Sequence, residues 1–125
     1  MKYTQVYTDE NGESHFQDVE IEFKSIDFAP PAPPLDISNA FPAIECSFLK
    51  APAKWFGDWH PAPFRQLHFY LAGEVEAETS DGEIRRFKQG DVVLVEDTIG
   101  KGHRSRNIGL GEGLIGIIKL DDSDL

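Results

Sequence analysis

The chain has 125 residues, the commonest size for one domain and enough to bury roughly two thirds of its unfolded surface. With 40% hydrophobic and 27% charged residues the composition is that of an ordinary globular domain, and a single cysteine, Cys46, excludes a disulfide framework, a multi-cysteine zinc site and an iron–sulfur cluster. The balance of 12 basic against 22 acidic residues, a net charge of −10, repels phosphate backbones and anionic lipid surfaces, so no nucleic-acid and no membrane partner is expected.

The opening MKYTQVYTDENGESHF lacks the apolar core of about 7 to 15 residues that a signal peptide needs, and a cytoplasmic protein is the expectation. Glycine (11) and proline (8) interrupt the chain too often for an amphipathic helix, which points to an all-β fold. Thr4 to Thr8 and His15 to Phe23 read as strands of a hairpin turning at Asn11-Gly12, the dipeptide best suited to positive φ. FAPPAPPL then reads as an extended surface connector, because its prolines remove backbone donors. Residues 1–39 thus form an N-terminal hairpin arm with its connector.

Over residues 40–120 seven short strands follow: Ala43 to Leu49, Arg65 to Ala72, Glu74 to Thr79, Glu83 to Phe87, Asp91 to Val95, His103 to Asn107 and Leu114 to Leu120. Such spacing suggests a sandwich, barrel or jelly roll. In GEVEAETSDGE the alternation sets Glu74, Glu76 and Glu78 on a wet face against Val75, Ala77 and Thr79 on a packed one. The acidic tail, residues 121–125, has no apolar pattern and is expected to fray.

His60-Pro-Ala-Pro-Phe-Arg-Gln66, then LHFYLA and Gly73, resembles the first cupin motif, which runs HxH, three or four residues, Glu, six residues, Gly. Sixteen residues on, GDVVLVEDTIGKGHRSRN from Gly90 resembles the second motif, with His103 and Asn107 on its last two marked positions. The resemblance implies a cupin-type jelly-roll β-barrel, or double-stranded β-helix, often paired as a homodimer. It also implies a divalent metal, Fe, Mn, Ni or Zn, held by His60 and His103. Ala62 stands where the motif has its second histidine and Gln66 where it has glutamate, while the proline of motif two is missing. Gln66 offers an uncharged oxygen as a third ligand. Strand periodicity puts Gln66, His68 and Tyr70 on one face, so His68 is a further donor if it reaches back to the place left by Ala62.

Trp59, Gln66, His68 and Tyr70 are the candidate ligand-binding residues, and His60, His103 and Tyr70 the candidate catalytic ones. Each has a plainer reading as a hydrogen-bonded loop or core residue. Trp55 and Phe56 are read as core packing, Cys46 as a buried packing residue, and His15 as a strand residue. Glu96 and Asp97 are read as a solvated turn, and Arg104 and Arg106 as facing outward. No serine elbow GxSxG, phosphate loop or dinucleotide motif is present. Three functions therefore stand side by side: a metal-dependent oxygenase, isomerase or lyase acting on a small organic molecule, a metal-free, non-catalytic cupin that binds or senses one, and a metal-free enzyme using His60 or His103 as acid or base.

Overall fold

Asn11-Gly12 does turn the chain. In the computed structural model, which describes residues 1–122, β1 (Lys2–Thr8) and β2 (Ser14–Glu20) pair antiparallel, and Gly12 takes the left-handed φ of 82° that the tight turn requires. The connector is more structured than expected, because β3 (Lys24–Ile26) and β4 (Leu35–Ile37) pair across the prolines into a second, small hairpin. Then come β5 (Ala43–Ala51), β6 (Phe56–His60), β7 (Gln66–Ala72), β8 (Glu74–Thr79), β9 (Ile84–Lys88), β10 (Val92–Val95), β11 (His103–Asn107) and β12 (Gly113–Leu120). All seven expected strands form; β6, which carries His60, is additional.

These strands make a six-stranded sheet in the order β2-β1-β10-β7-β12-β5 and a four-stranded sheet in the order β6-β11-β8-β9. The N-terminal hairpin joins the larger sheet by a parallel pairing of β1 with β10, and all other pairings are antiparallel. Period-two alternation sends Val6, Phe16, Tyr70, Val93, Val95, Ile115 and Ile117 of one sheet against Val75, Ala77 and Phe87 of the other. This is the jelly-roll, double-stranded β-helix architecture. Burying a large aliphatic or aromatic side chain contributes about 1.5–3 kcal/mol, so this inter-sheet layer dominates the stability.

A smaller apolar cluster lies on the outer face of the larger sheet, where Leu67, Leu94 and Leu120 are buried with Tyr3, Val92 and Ile118 against them, and Phe41 edges the Tyr3 ring. The glutamates of β8 are half-buried rather than simply wet, and two of them are paired: Arg106 and Arg86 both reach Glu76, and Arg104 reaches Glu78, with both β11 arginines facing outward. Two packing assignments need correcting. Cys46 and Phe56 are exposed, because β5 and β6 are edge strands whose outer faces nothing among the described residues covers. At the start of the acidic tail, Asp121 donates its N–H to the Pro42 carbonyl and accepts from Arg65. Residues 123–125, where fraying was expected, lie outside the described residues. No helix among those described is long and apolar enough to cross a membrane.

Candidate functional site

The inward face of β7 presents Gln66, His68 and Tyr70 in sequence, as its alternation requires, and all three line one cavity between the sheets. From the other sheet, antiparallel pairing of β6 with β11 sets His103 directly opposite His60, with ring centroids 4.8 Å apart and planes inclined by 56°. Gly102 makes that approach possible. Its φ is 71°, and a Cβ there would stand 2.0 Å from the His60 carbonyl oxygen. Buried Asn107, the last marked position of the second motif, is structural: its Nδ2 donates to the carbonyls of Ala51, Pro52 and Gly111, and its N–H donates to the Trp55 carbonyl.

Hydrogen bonds assign the tautomers. His60 Nδ1 lies 2.6 Å from the Asp58 carbonyl, which only accepts, so Nδ1 carries the proton and Nε2 is a free lone pair. His103 Nδ1 donates at 2.5 Å to Asp97 Oδ2, again leaving Nε2 as the acceptor. Asp97 is fully buried, and its other oxygen, Oδ1, has no hydrogen-bond partner. Its carboxylate is thus committed to His103, and the expected solvated turn is wrong at this residue. Neighbouring Glu96 is half-buried too, gripped by Arg65 at 2.7 Å and Gln5 at 2.6 Å. The cause is tertiary: the Ala62 N–H donates to the Asp97 carbonyl and the Glu96 N–H to that of Val6, which draws the turn inward.

His68 Nε2 donates at 2.8 Å to Gln66 Oε1, whose Nε2 donates in turn to the Phe64 carbonyl. Burial, reinforced by the nearby His103, pushes His68 down to about 4, so it is a neutral imidazole at ordinary pH. Tyr70 stacks on Phe87 at 5.5 Å, and burial, with Asp91 adding to it, raises its phenol far above the usual range. Its hydroxyl remains protonated and available as a donor.

The cavity measures about 400 Å³, within the range of small-ligand pockets, and its walls are mostly apolar. Val6 and Phe16 of the N-terminal hairpin and Ile115 and Ile117 of β12 contribute to it, while Leu49 and Trp55, each 40% exposed, border its mouth. Trp55, assigned to the core from sequence, therefore belongs to the site. Trp59, assigned to the site, does not. It alternates with His60 on β6, faces outward and lies under the Arg104 guanidinium at 5.0 Å. His15 also stays away from the cavity, held between Asp9 and Asp81.

The donors expected to share a metal separate into two pairs. His60 and His103 face each other with open Nε2 atoms, whereas Gln66 and His68 turn their facing atoms on one another. Ala62 is buried in the core and supplies nothing. Among the described residues no group of three or more His, Cys, Asp or Glu is placed to hold a metal, and catalytic metal centres use three protein ligands. The residues present do not fit such a centre.

No family model and no curated protein matches the sequence. Solved structures do match by shape. A Cupin 2 conserved barrel domain protein from Salinispora arenicola superposes with a TM-score of 0.53 at 17% identity over 82% of this chain and 77% of its own. An RmlC-like cupin with a double-stranded β-helix fold from Methanocaldococcus jannaschii gives 0.52 at 14% identity over 82% and 91%, and the Cnp3 cupin domain of Schizosaccharomyces pombe gives 0.51 at 15% over 98% and 86%. At these identities the likeness is one of fold.

Proposed function

We propose that this chain, a cupin barrel by fold, binds a small, neutral, largely apolar organic molecule bearing a hydroxyl group, without a metal. The observation that carries this reading is the mostly apolar cavity of about 400 Å³ lined by both His60 and His103, whose Nδ1 atoms are engaged by Asp58 and Asp97 so that Nε2 is the nitrogen each has left to accept with. A hydroxyl donates to such an atom, and Tyr70 supplies a donor for an oxygen elsewhere on the molecule. A carboxylate would face two lone pairs inside a chain of net charge −10, which disfavours an anion.

The Asp97–His103 bond favours one further step. A buried carboxylate behind an imidazole fixes its tautomer and stabilises the imidazolium, so His103 is built to accept a proton from the bound hydroxyl or an adjacent carbon. His103 is then the catalytic base, Asp97 its positioning residue, and Tyr70, which burial keeps protonated, a hydrogen-bond donor to the bound molecule.

The test pairs 2-naphthol with 2-methoxynaphthalene, which has the same rings and no donor, in titration calorimetry and thermal shift. 2-Naphthol should bind at least tenfold more tightly, and His103→Ala should remove the difference while leaving both ligands weakly bound. Equal affinity for the two, or binding indifferent to His103→Ala, overturns the reading. Incubation with Fe, Mn, Ni or Zn salts should leave Tm unchanged; a metal-dependent rise lost in His60→Ala would restore a metal-centred function.

A further inference from the structure

Aromatic side chains make up much of the cavity wall, and most of them are already engaged. Tyr70 stacks on Phe87 with centroids 5.5 Å apart, Phe16 meets the same Phe87 ring edge-on at 6.0 Å, and the Lys119 ammonium lies 4.9 Å from the centre of the Phe64 ring. Trp55 is different. Among the described residues no second ring and no cation packs on its indole, which borders the mouth of the cavity and is 40% exposed.

The indole is nonetheless held in place. Asn107 pins the turn from which it projects: Nδ2 donates to the Ala51 and Pro52 carbonyls and the backbone N–H to the Trp55 carbonyl, while the Trp55 N–H closes the turn onto the Pro52 carbonyl. Lys54, just before it, takes a left-handed φ of 65° that turns the chain back. The far end of the indole then fills the space over Gly57, where a Cβ would stand 2.5 Å from Cη2. Gly57 lies directly opposite Ser105, which lines the cavity, so this seat is on the inner face of β6. Ser105 follows His103 by two residues on β11, which sets the seat about 7 Å along the strand from the His60–His103 pair. One molecule of one or two fused rings spans that distance, with its hydroxyl at the histidines and its ring beside Trp55.

We infer that Trp55 is the specificity-determining residue of the cavity: seated on Gly57, its indole is a stacking wall that selects flat aromatic alcohols, phenols and naphthols, over saturated alcohols of the same size. The inference rests on the proposed binding of a hydroxylated apolar molecule and adds the class of its carbon frame. Rings that pack on one another are committed to the wall, whereas an unpartnered indole face offers a ligand ring a contact worth about two- to tenfold in affinity beyond the area it buries. A saturated frame forfeits that contact and keeps the rest.

Decahydro-2-naphthol keeps the fused frame and the hydroxyl of 2-naphthol but is not flat, and calorimetry compares the two in the full chain. Because 2-naphthol is also the stronger hydrogen-bond donor, the readout is the change in their affinity ratio between the parent and Trp55→Leu, which keeps an apolar side chain without a ring face. The ratio should fall about two- to tenfold in Trp55→Leu, chiefly through 2-naphthol, and be largely restored in Trp55→Phe. Independently, Trp59→Phe leaves Trp55 as the sole tryptophan, and its indole N–H signal in NMR should shift when 2-naphthol is added. A ratio unchanged in Trp55→Leu, or an indole signal that stays put while calorimetry shows 2-naphthol bound, overturns the inference. If the preference for 2-naphthol over 2-methoxynaphthalene survives in that case, the cavity reading stands without it. Loss of that preference as well, or binding of neither alcohol, overturns both.

Discussion

At the scale of single residues, the histidines of this protein differ in what they do for stability. His68 is held neutral, at about 4, by burial first and His103 second. Its unfolded form binds a proton near 6.5, so between about 4 and 6.5 the unfolded chain holds more protons and stability falls as pH falls. His15 behaves oppositely. Its hydrogen bond to Asp9, at 2.6 Å, is the main cause that raises it, helped by Asp81 at 2.9 Å, so its contribution is fully present below about 6.5 and is lost as pH rises through the raised value. His68→Leu should therefore flatten the acid limb of a Tm-against-pH curve, and His15→Gln the limb on the neutral side. A curve whose acid limb is unchanged in His68→Leu would refute the buried neutral assignment.

Asp97 carries the sharpest residue-scale prediction. Removing one partner of a buried hydrogen bond leaves the other unsatisfied and costs about 1–3 kcal/mol, so Asp97→Ala should lose about that much in urea denaturation, and Asp97→Asn, which keeps an acceptor oxygen, clearly less. Nitrogen NMR of His103 should show a proton on Nδ1 in the parent and a tautomer mixture in Asp97→Ala. A parent that already shows the mixture would remove Asp97 from the site. Its importance was not legible in the sequence, because burial of a turn residue depends on backbone contacts to Val6 and Ala62, distant along the chain.

At the scale of elements, Gly102 decides how closely β11 starts beside β6. Gly102→Ala places a methyl against the His60 carbonyl in a backbone conformation that alanine resists, and should cost at least about 2 kcal/mol and pull His60 and His103 apart. A variant of parental stability that still discriminates 2-naphthol from its methyl ether would show that the pair tolerates looser packing. Element by element, legibility followed the strength of periodicity. The packed face of β8, Val75, Ala77 and Thr79, could be read directly, as could the Asn11-Gly12 turn and the common face of Gln66, His68 and Tyr70. Three strands escaped: β3 and β4 are only three residues long, and β6, Phe-Gly-Asp-Trp-His, has no apolar alternation to mark it. Periodicity also says which side chains share a face and nothing about which bond each will make, so Gln66 and His68 were legible as neighbours but not as a closed pair.

At the scale of the whole molecule, the two motif segments were enough to indicate the cupin fold, and the departures at Ala62 and Gln66 explain why its interior differs from a metal-centred one. Substituting a carboxylate position by an amide lets Gln66 hold His68 internally, and substituting a histidine by alanine adds to the apolar core. The polar groups of the interior turn from ligation toward hydrogen bonding. Saturating the cavity with a neutral hydroxylated ligand should then raise stability by about 2.7 kcal/mol at one hundred times Kd, a rise visible as a Tm shift of several degrees. Absence of any shift with a ligand that calorimetry shows to bind would mean that binding occurs elsewhere than in the barrel.

The parallel pairing of β1 with β10 also governs when this barrel can come into being. Gln5 finds its hydrogen-bond partner, Glu96, 91 positions downstream, and Val6 walls the cavity beside Val95. During synthesis β1 must therefore wait, open-edged, until β10 has followed, and such distant pairings fold slowly. The cavity has no complete wall until that closure. Loss of the first hairpin would thus leave a chain that keeps His60, His68 and His103 yet has no chamber for them to serve.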